Sequence, residues 1–169
     1  MRVISLVVSI IKKVYIVLST IYIYMCQFNT FMIDADYLDG EKICKLSDIF
    51  EEVGYENFCE YSNPKLRNAS PNMRLFLSGS LCDCGSIVTK KVVVDELEEQ
   101  KECDTLKYVI SKMLEADIPE VCLFSHWYKG NNVRETVRLE RNYVEVKLAD
   151  IKEDTFRSLF YDQALKIVK

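Results

Sequence analysis

Two kinds of apolar pattern alternate along the chain beyond residue 24. Four short segments of five to nine residues have the length of strands, and the first of them is also rich in β-branched and aromatic side chains. Two longer segments have apolar residues at every third or fourth position, which is typical of amphipathic helices. The predicted strands are Cys26–Asp34, Asn57–Tyr61, Met73–Leu81 and Val121–Tyr128, and the predicted helices are Glu41–Val53 and Asp95 to about Ala116.

Local signals mark the ends of the two predicted helices. Gly54 follows the first helix, where a glycine can form a left-handed cap. Asp95 is placed to cap the start of the second helix, and the acidic residues after it suit the positive end of the helix dipole. The boundaries of both helices are therefore well specified by the sequence.

The order of these elements predicts an α+β fold. Strand, helix, strand, strand, helix, strand is the split βαβ (βαββαβ) order of a ferredoxin-like sheet, with two helices on one face. Beyond these elements, apolar residues alternate with charged ones at Val144, Val146 and Leu148, and this pattern predicts a further strand. The segment Asp154–Val168 has a helical apolar stripe and predicts a closing helix. We therefore expect residues 25–169 to form a single α+β domain with a C-terminal strand and helix.

The first 24 residues are predicted to lie outside this fold. Met1–Tyr24 is largely apolar, but Lys12 and Lys13 divide it into stretches of 9 and 11 residues. A membrane-spanning helix needs about 20 apolar residues without such an interruption. A signal peptide is not favoured either, since lysines follow the apolar stretch and no small-residue cleavage site is present.

Three interpretations of this segment stay open. If translation starts at Met25, the segment is absent and the protein is cytoplasmic. If Lys12 and Lys13 lie on the cytoplasmic side and Val14–Ile33 spans the bilayer, the protein is a single-pass membrane protein. In the third interpretation, the segment is an ordinary structured extension of the domain.

The charge distribution argues against nucleic acid as a partner. The whole chain has a net charge of −4, with 22 basic and 26 acidic residues. Residues 1–24 carry three basic residues and no acidic ones, which leaves 19 basic and 26 acidic residues, a net charge of −7, for residues 25–169. A protein that binds the phosphate backbone needs a surplus of positive charge.

The cysteines indicate a reduced chain. There are seven of them, an odd number, and several occupy apolar-periodic positions where cysteine acts as a small hydrophobic residue. A secreted disulfide framework is typically even in number and rich in loops. We therefore expect mostly buried thiols in a reducing compartment.

The predicted strand order brings three cysteines and the only histidine together. In the ferredoxin-like order 4-1-3-2, the first strand lies between the fourth and the third and is antiparallel to both. The start of the first strand carries Cys26, the end of the third carries Cys82 and Cys84 in a Cys-Asp-Cys-Gly turn, and the end of the fourth carries His126. Three thiols and one imidazole form a complete tetrahedral zinc set. The sequence therefore predicts a zinc site formed by these four residues.

Two other interpretations of the same residues stay open. In one, Cys26 packs under the sheet, the turn binds no metal and His126 is a hydrogen-bonded core residue. In the other, Cys84 and His126 form the nucleophilic pair of a thiol-dependent enzyme.

The favoured function is therefore that of a small cytoplasmic protein, not an enzyme, that binds a structural or regulatory zinc. A membrane-anchored interaction domain is the alternative, because Lys12 and Lys13 precede an apolar stretch. A thiol-dependent enzyme is the third hypothesis. Ferredoxin-like sheets often associate, so a homodimer or another protein partner is compatible with the predicted fold.

Three segments resemble a group of small bacterial proteins that have no assigned function. They are Met25–Phe28 (MCQF), Phe58–Pro64 (FCEYSNP) and Met73–Gly85 (MRLFLSGSLCDCG). The shared pattern has an N-terminal Met-Cys-x-Phe, an Asn-Pro loop and a Cys-Asp-Cys-Gly turn after a strand. The resemblance implies that such proteins begin at the Met-Cys pair, which favours Met25 as the start, and it implies no activity.

Overall fold

The computed structural model describes residues 25–55, 60–61, 66–67, 72–77, 83, 86–89, 95–129, 137–139, 143–160 and 162–169. This part of the chain contains eight strands, three α-helices and two short 3₁₀ turns, at Ala35–Tyr37 and Leu148–Asp150. In chain order the strands and helices are β1 (Met25–Asp34), α1 (Gly40–Glu52), β2 (Glu60–Tyr61), β3 (Leu66–Arg67), β4 (Met73–Leu77), α2 (Glu96–Glu115), β5 (Glu120–Lys129), β6 (Val137–Arg138), β7 (Val144–Lys147), α3 (Glu153–Arg157) and β8 (Ala164–Val168).

Six of the strands form one mixed sheet in the order β2-β4-β1-β5-β8-β7. β1 lies between β4 and β5 and is antiparallel to both. β8 extends the sheet beyond β5 as an antiparallel neighbour, and β7 is parallel to β8 at the edge. β3 and β6 form a separate two-stranded parallel sheet. The predicted α+β class is confirmed.

The two long helices begin and end where the local signals place them. The carboxylate of Asp39 accepts a hydrogen bond from the backbone N–H of Lys42 (2.8 Å), which caps α1. Gly54 follows α1 with φ +76°, a left-handed conformation that residues with a Cβ rarely adopt. The carboxylate of Asp95 accepts from the backbone N–H groups of Leu97 and Glu98 and so caps α2.

The sheet separates two cores. The larger core lies between the sheet and the helices, where α1, α2 and α3 all bury apolar side chains against β1, β5 and β8. The smaller core lies on the opposite face and contains no helical residue among those described. It is formed by Phe28, Met32, Leu75, Cys122, Phe124, Tyr128, Leu139 and Ala164.

The predicted closing helix over Asp154–Val168 is wrong beyond Ser158. The helix α3 contains only five residues and ends at Arg157. Asp162 then has φ +65°, which a continuing helix does not allow, and the last five residues before Lys169 form β8.

Tertiary contacts explain this difference. Leu165 and Ile167 alternate with Lys166 and Val168, so the segment also has a strand-like period that buries the first two side chains. β8 lies between β5 and β7, and both sides of its backbone are therefore paired in the sheet. The sheet provides this pairing from residues far along the chain, and it outweighs the local helical pattern.

None of the helices in the described residues is both long enough and apolar enough to cross a membrane. Residues 1–24 lie outside the described part of the chain. The predictions about that segment therefore stay predictions.

The buried thiol of Cys122 is expected to make the protein less stable in alkali. Its burial raises the pKa to about 12, compared with 9.0 for an unperturbed thiol. The folded state therefore retains the proton where the unfolded state loses it, so stability is lost as the pH rises above about 9. We expect wild type to lose about 1 kcal/mol more than Cys122→Val between pH 8 and pH 10 in urea unfolding.

The control for this measurement is Cys44→Val, because Cys44 is an exposed thiol on α1. This variant should retain the alkaline loss of wild type. Tyr55 and Tyr143, whose pKa values burial raises, are present in all three proteins, and the charge of Cys122 also raises the pKa of Tyr143. An equal pH dependence for Cys122→Val and wild type would contradict the prediction.

Candidate functional site

The candidate site lies at the end of the sheet where β1 begins. Within the described residues, β1 pairs with β5 from Met25 to Met32 and with β4 from Thr30 to Asp34. Asp83 lies beside the first residues of β1. Its backbone N–H donates to the carbonyl of Gln27 (2.8 Å), and its carboxylate accepts from the backbone N–H of Asn29 (2.7 Å). Asp83, the central residue of the Cys-Asp-Cys sequence, is thus held directly against β1.

Two buried amide side chains of β1 hold the next turn of the chain. Nε2 of Gln27 donates to the carbonyl of Val88 (2.9 Å) and to Oγ of Ser125 (3.0 Å). Nδ2 of Asn29 donates to Oγ of Ser86 (2.7 Å). Buried polar groups need such partners, so these bonds fix the position of residues 86–89 against the sheet.

The carboxylate of Glu102 joins this network from α2. Oε1 accepts from the hydroxyl of Ser86 (2.5 Å), and Oε2 accepts from the backbone N–H of Ile87 (2.7 Å). Ser86 therefore donates to a carboxylate while it accepts from Asn29. One continuous set of hydrogen bonds therefore links β1, residues 86–89 and α2.

Tyr55, which follows α1, lies within the field of the same carboxylates. Burial raises the pKa of its hydroxyl above the usual range, and the charges of Asp83 and Glu102 raise it further. The hydroxyl therefore keeps its proton at every physiological pH. A neutral Tyr55 adds no negative charge to a site that already contains two carboxylates.

The histidine lies on the opposite face of the sheet and is paired with a carboxylate. Nδ1 of His126 contacts Oδ1 of Asp162. The backbone N–H of Asp162 donates to the carbonyl of Ser125 (3.1 Å), which holds the left-handed turn at Asp162 against β5. The His126 ring lies 4.4 Å from the Tyr128 ring, edge to face, and stacks on Phe124 with a centroid distance of 6.2 Å. The imidazole therefore has a fixed orientation.

The structure describes only part of the predicted zinc set. Cys26 is opposite Tyr128 in the register of β1 and β5, and His126 is opposite Phe28, but the side chain of Cys26 lies outside the described residues. Cys82 and Cys84 also lie outside them. Within the described ranges, no cluster of three or more histidine, cysteine or acidic residues is suited to a metal. The zinc site is therefore still a prediction.

The sequence analysis missed the partners that surround these residues. Asp162 lies 36 residues beyond His126, and no local pattern relates the two. Gln27 and Asn29 did leave a signal, because they are polar residues at alternate positions of a largely apolar strand. Such a pair in a buried strand indicates a hydrogen-bonded network on that face.

We compared the chain with known proteins at the level of families, of single sequences and of folds. No protein-family model, no curated protein and no solved structure matches it.

Proposed function

We propose that this protein binds one structural or regulatory zinc ion through Cys26, Cys82, Cys84 and His126. The observation that carries the proposal is the contact between Nδ1 of His126 and the carboxylate of Asp162. Histidines that bind zinc almost always use the second ring nitrogen to donate to a carboxylate or carbonyl, which fixes the tautomer. In this arrangement Nε2 of His126 is the nitrogen that binds the metal.

The hydrogen bonds of Asp83 support the same proposal. Cys82 and Cys84 are its covalent neighbours, and Cys26 directly precedes Gln27, whose carbonyl accepts from Asp83. Consecutive Cα atoms are about 3.8 Å apart, so chain connectivity keeps the three cysteines close to one another. Three thiolates and one imidazole match the ligand preference of zinc.

The ligand set favours a role other than catalysis. Four protein ligands complete the tetrahedral shell of zinc and leave no open position for water or substrate. Such a site contributes to folding directly, on the order of 10 kcal/mol in small zinc domains. We therefore infer that zinc stabilises the junction between β1, β5 and the Cys-Asp-Cys turn.

The test is the metal content of protein purified without chelators, measured by native mass spectrometry and elemental analysis. We expect one zinc per chain in wild type and none in Cys84→Ser. Asp162→Asn should weaken zinc binding about 10–100-fold, because Asp162 orients the ligand without touching the metal. The matched control is Cys44→Ser, which removes an exposed thiol from α1 and should leave one zinc per chain.

A wild-type protein that is metal-free and does not take up added zinc would overturn this proposal.

The second candidate, a thiol-dependent enzyme, is favoured by the same pair of His126 and Asp162, since a carboxylate that orients a histidine also prepares it as a general base. In that case one cysteine should react with an alkylating probe far faster than the other six. Asp162→Asn should then abolish the fast reaction.

We also propose a ferredoxin-like framework and a cytoplasmic location. The adjacency of β2, β4, β1 and β5, with two long helices on one face, supports the framework, to which β8 and β7 add two strands. The resemblance of Met25–Phe28 to proteins that begin at a Met-Cys pair supports translation from Met25. A membrane-anchored interaction domain is the alternative, and the N-terminal residue of the native protein distinguishes the two.

A further inference from the structure

The strand β7 forms an exposed edge of the main sheet. β8 lies on its inner side, and no strand among the described residues lies on its outer side. The outward N–H and C=O groups of an edge strand are a template for pairing with another strand. Three of the four residues of β7 are exposed, namely Val144, Glu145 and Lys147.

Two large apolar side chains are exposed near the start of this edge. Val144 is 42% exposed and Phe160 is 61% exposed. Val144 is opposite Leu165 in the register of β7 and β8, and Phe160 precedes β8 by four residues. Both therefore belong to the end of the sheet where β7 and β8 begin. Exposed apolar groups beside the edge of a sheet are features of interaction surfaces.

The charges of β7 are complementary to those of a second β7. In an antiparallel pair centred on Val146, each Glu145 lies opposite Lys147 of the second copy, and symmetry produces this pair twice. Glu145 contacts Lys166 of its own chain at 3.5 Å. Lys166 has a closer partner in Glu120, at 2.7 Å, so Glu145 is not needed to neutralise it.

We propose that β7 pairs antiparallel with β7 of a second copy of this chain, centred on Val146, and forms a symmetric dimer with one continuous sheet. The self-complementary sequence of β7 favours a second copy over an unrelated strand. A pair of four-residue strands buries less than the roughly 1,200–2,000 Å² of a stable interface. The dimer is therefore concentration-dependent, and it does not require the proposed zinc site.

The test is analytical ultracentrifugation of the full chain over a wide concentration range, with charge-reversal variants of β7. Glu145→Lys and Lys147→Glu each place like charges opposite one another at both symmetric positions. Each single change should weaken dimerisation about tenfold or more, because like charges opposed across an interface are strongly unfavourable. The double variant, E145K with K147E, restores opposite charges and should dimerise nearly as well as wild type.

Matched controls separate this effect from a general change in charge or stability. Glu41 and Lys45 form an exposed pair on α1 (2.8 Å), and reversing either charge should leave the dimer unchanged. Lys147 has no ion pair among the described residues, so Lys147→Glu tests the register without breaking an ion pair in that part of the chain. A wild-type chain that stays monomeric at all concentrations, or a double variant that fails to dimerise, would overturn the proposal.

Discussion

Replacing Arg157 with methionine is expected to lower the free energy of unfolding by about 3–5 kcal/mol. Nη2 of Arg157 forms ion pairs with Glu99 of α2 and with Glu153 (3.2 Å). Arg157 and Glu99 are both almost fully buried, whereas Glu153 is one-third exposed. Methionine keeps much of the apolar stem but removes the guanidinium that pairs with the buried carboxylate of Glu99. Urea unfolding at neutral pH measures the loss.

The pKa of Arg157 is consistent with this interpretation. Burial alone would lower it, but the hydrogen bonds and charges of Glu153 and Glu99 raise it above the ordinary value. The folded state therefore favours the charged guanidinium, and its removal affects the carboxylates as well. The two acidic partners differ in burial, which makes Glu153 the natural control.

Two further variants make this prediction specific. Glu153→Gln should cost less than about 1 kcal/mol, because partly exposed ion pairs contribute little. The double replacement of Arg157 and Glu99 by methionine should recover most of the loss, since a buried pair can be replaced by apolar side chains at little cost. A loss below about 1 kcal/mol for Arg157→Met would contradict the buried-charge argument.

The ion pair has a structural consequence for the candidate site. It attaches α3 to α2, and the carbonyl of Phe156 in α3 accepts a hydrogen bond from the backbone N–H of Thr89 (3.0 Å). Thr89 has φ +66°, which is unfavourable for a β-branched residue and persists only where the surroundings hold it. The segment that contains Ser86 is thus held by α3 at one end and by β1 at the other.

Much of this fold could be predicted from local signals. The strands β1 and β5 and the helices α1 and α2 have strong periods and clear caps, and their predicted and observed bounds agree closely. β8 could not be predicted, because its pairing partners lie 21 residues away in β7 and 40 to 48 residues away in β5. A segment that fits both periods takes the structure that its neighbours in space provide.

The site was less predictable than the fold. The histidine was singled out because the chain contains only one, but its partner Asp162 depends on a left-handed turn that no sequence pattern specified. Glu102 was not distinguished from the exposed acidic residues of α2, since its role depends on where Ser86 and Ile87 lie in space. Long-range polar contacts of this kind have no periodic signature.

Replacing Glu102 with leucine is expected to cost about 3–5 kcal/mol of unfolding free energy, because hydrogen bonds to a charged group contribute roughly 1.5–3 kcal/mol each. The carboxylate accepts from the hydroxyl of Ser86 and from the backbone N–H of Ile87, a residue that is fully buried. Leucine accepts neither bond, so the N–H of Ile87 loses its acceptor. Urea unfolding measures the global cost, and hydrogen exchange at the Ile87 amide measures the local one.

The conservative variant Glu102→Gln separates the two hydrogen bonds from the bulk of the side chain. Its amide retains one acceptor oxygen but presents a donor where the second acceptor was. Glu102→Gln should therefore lose about half as much unfolding free energy as Glu102→Leu. Ser86→Ala removes one of the two bonds, and its effect should not add to that of Glu102→Leu, because the residues share that bond.

If Glu102→Leu unfolds like wild type and the Ile87 amide stays protected, Glu102 does not hold residues 86–89 in place. In that case the position of residues 86–89 depends on the side-chain amides of β1 alone. Asn29→Leu should then lower the free energy of unfolding more than Glu102→Leu does.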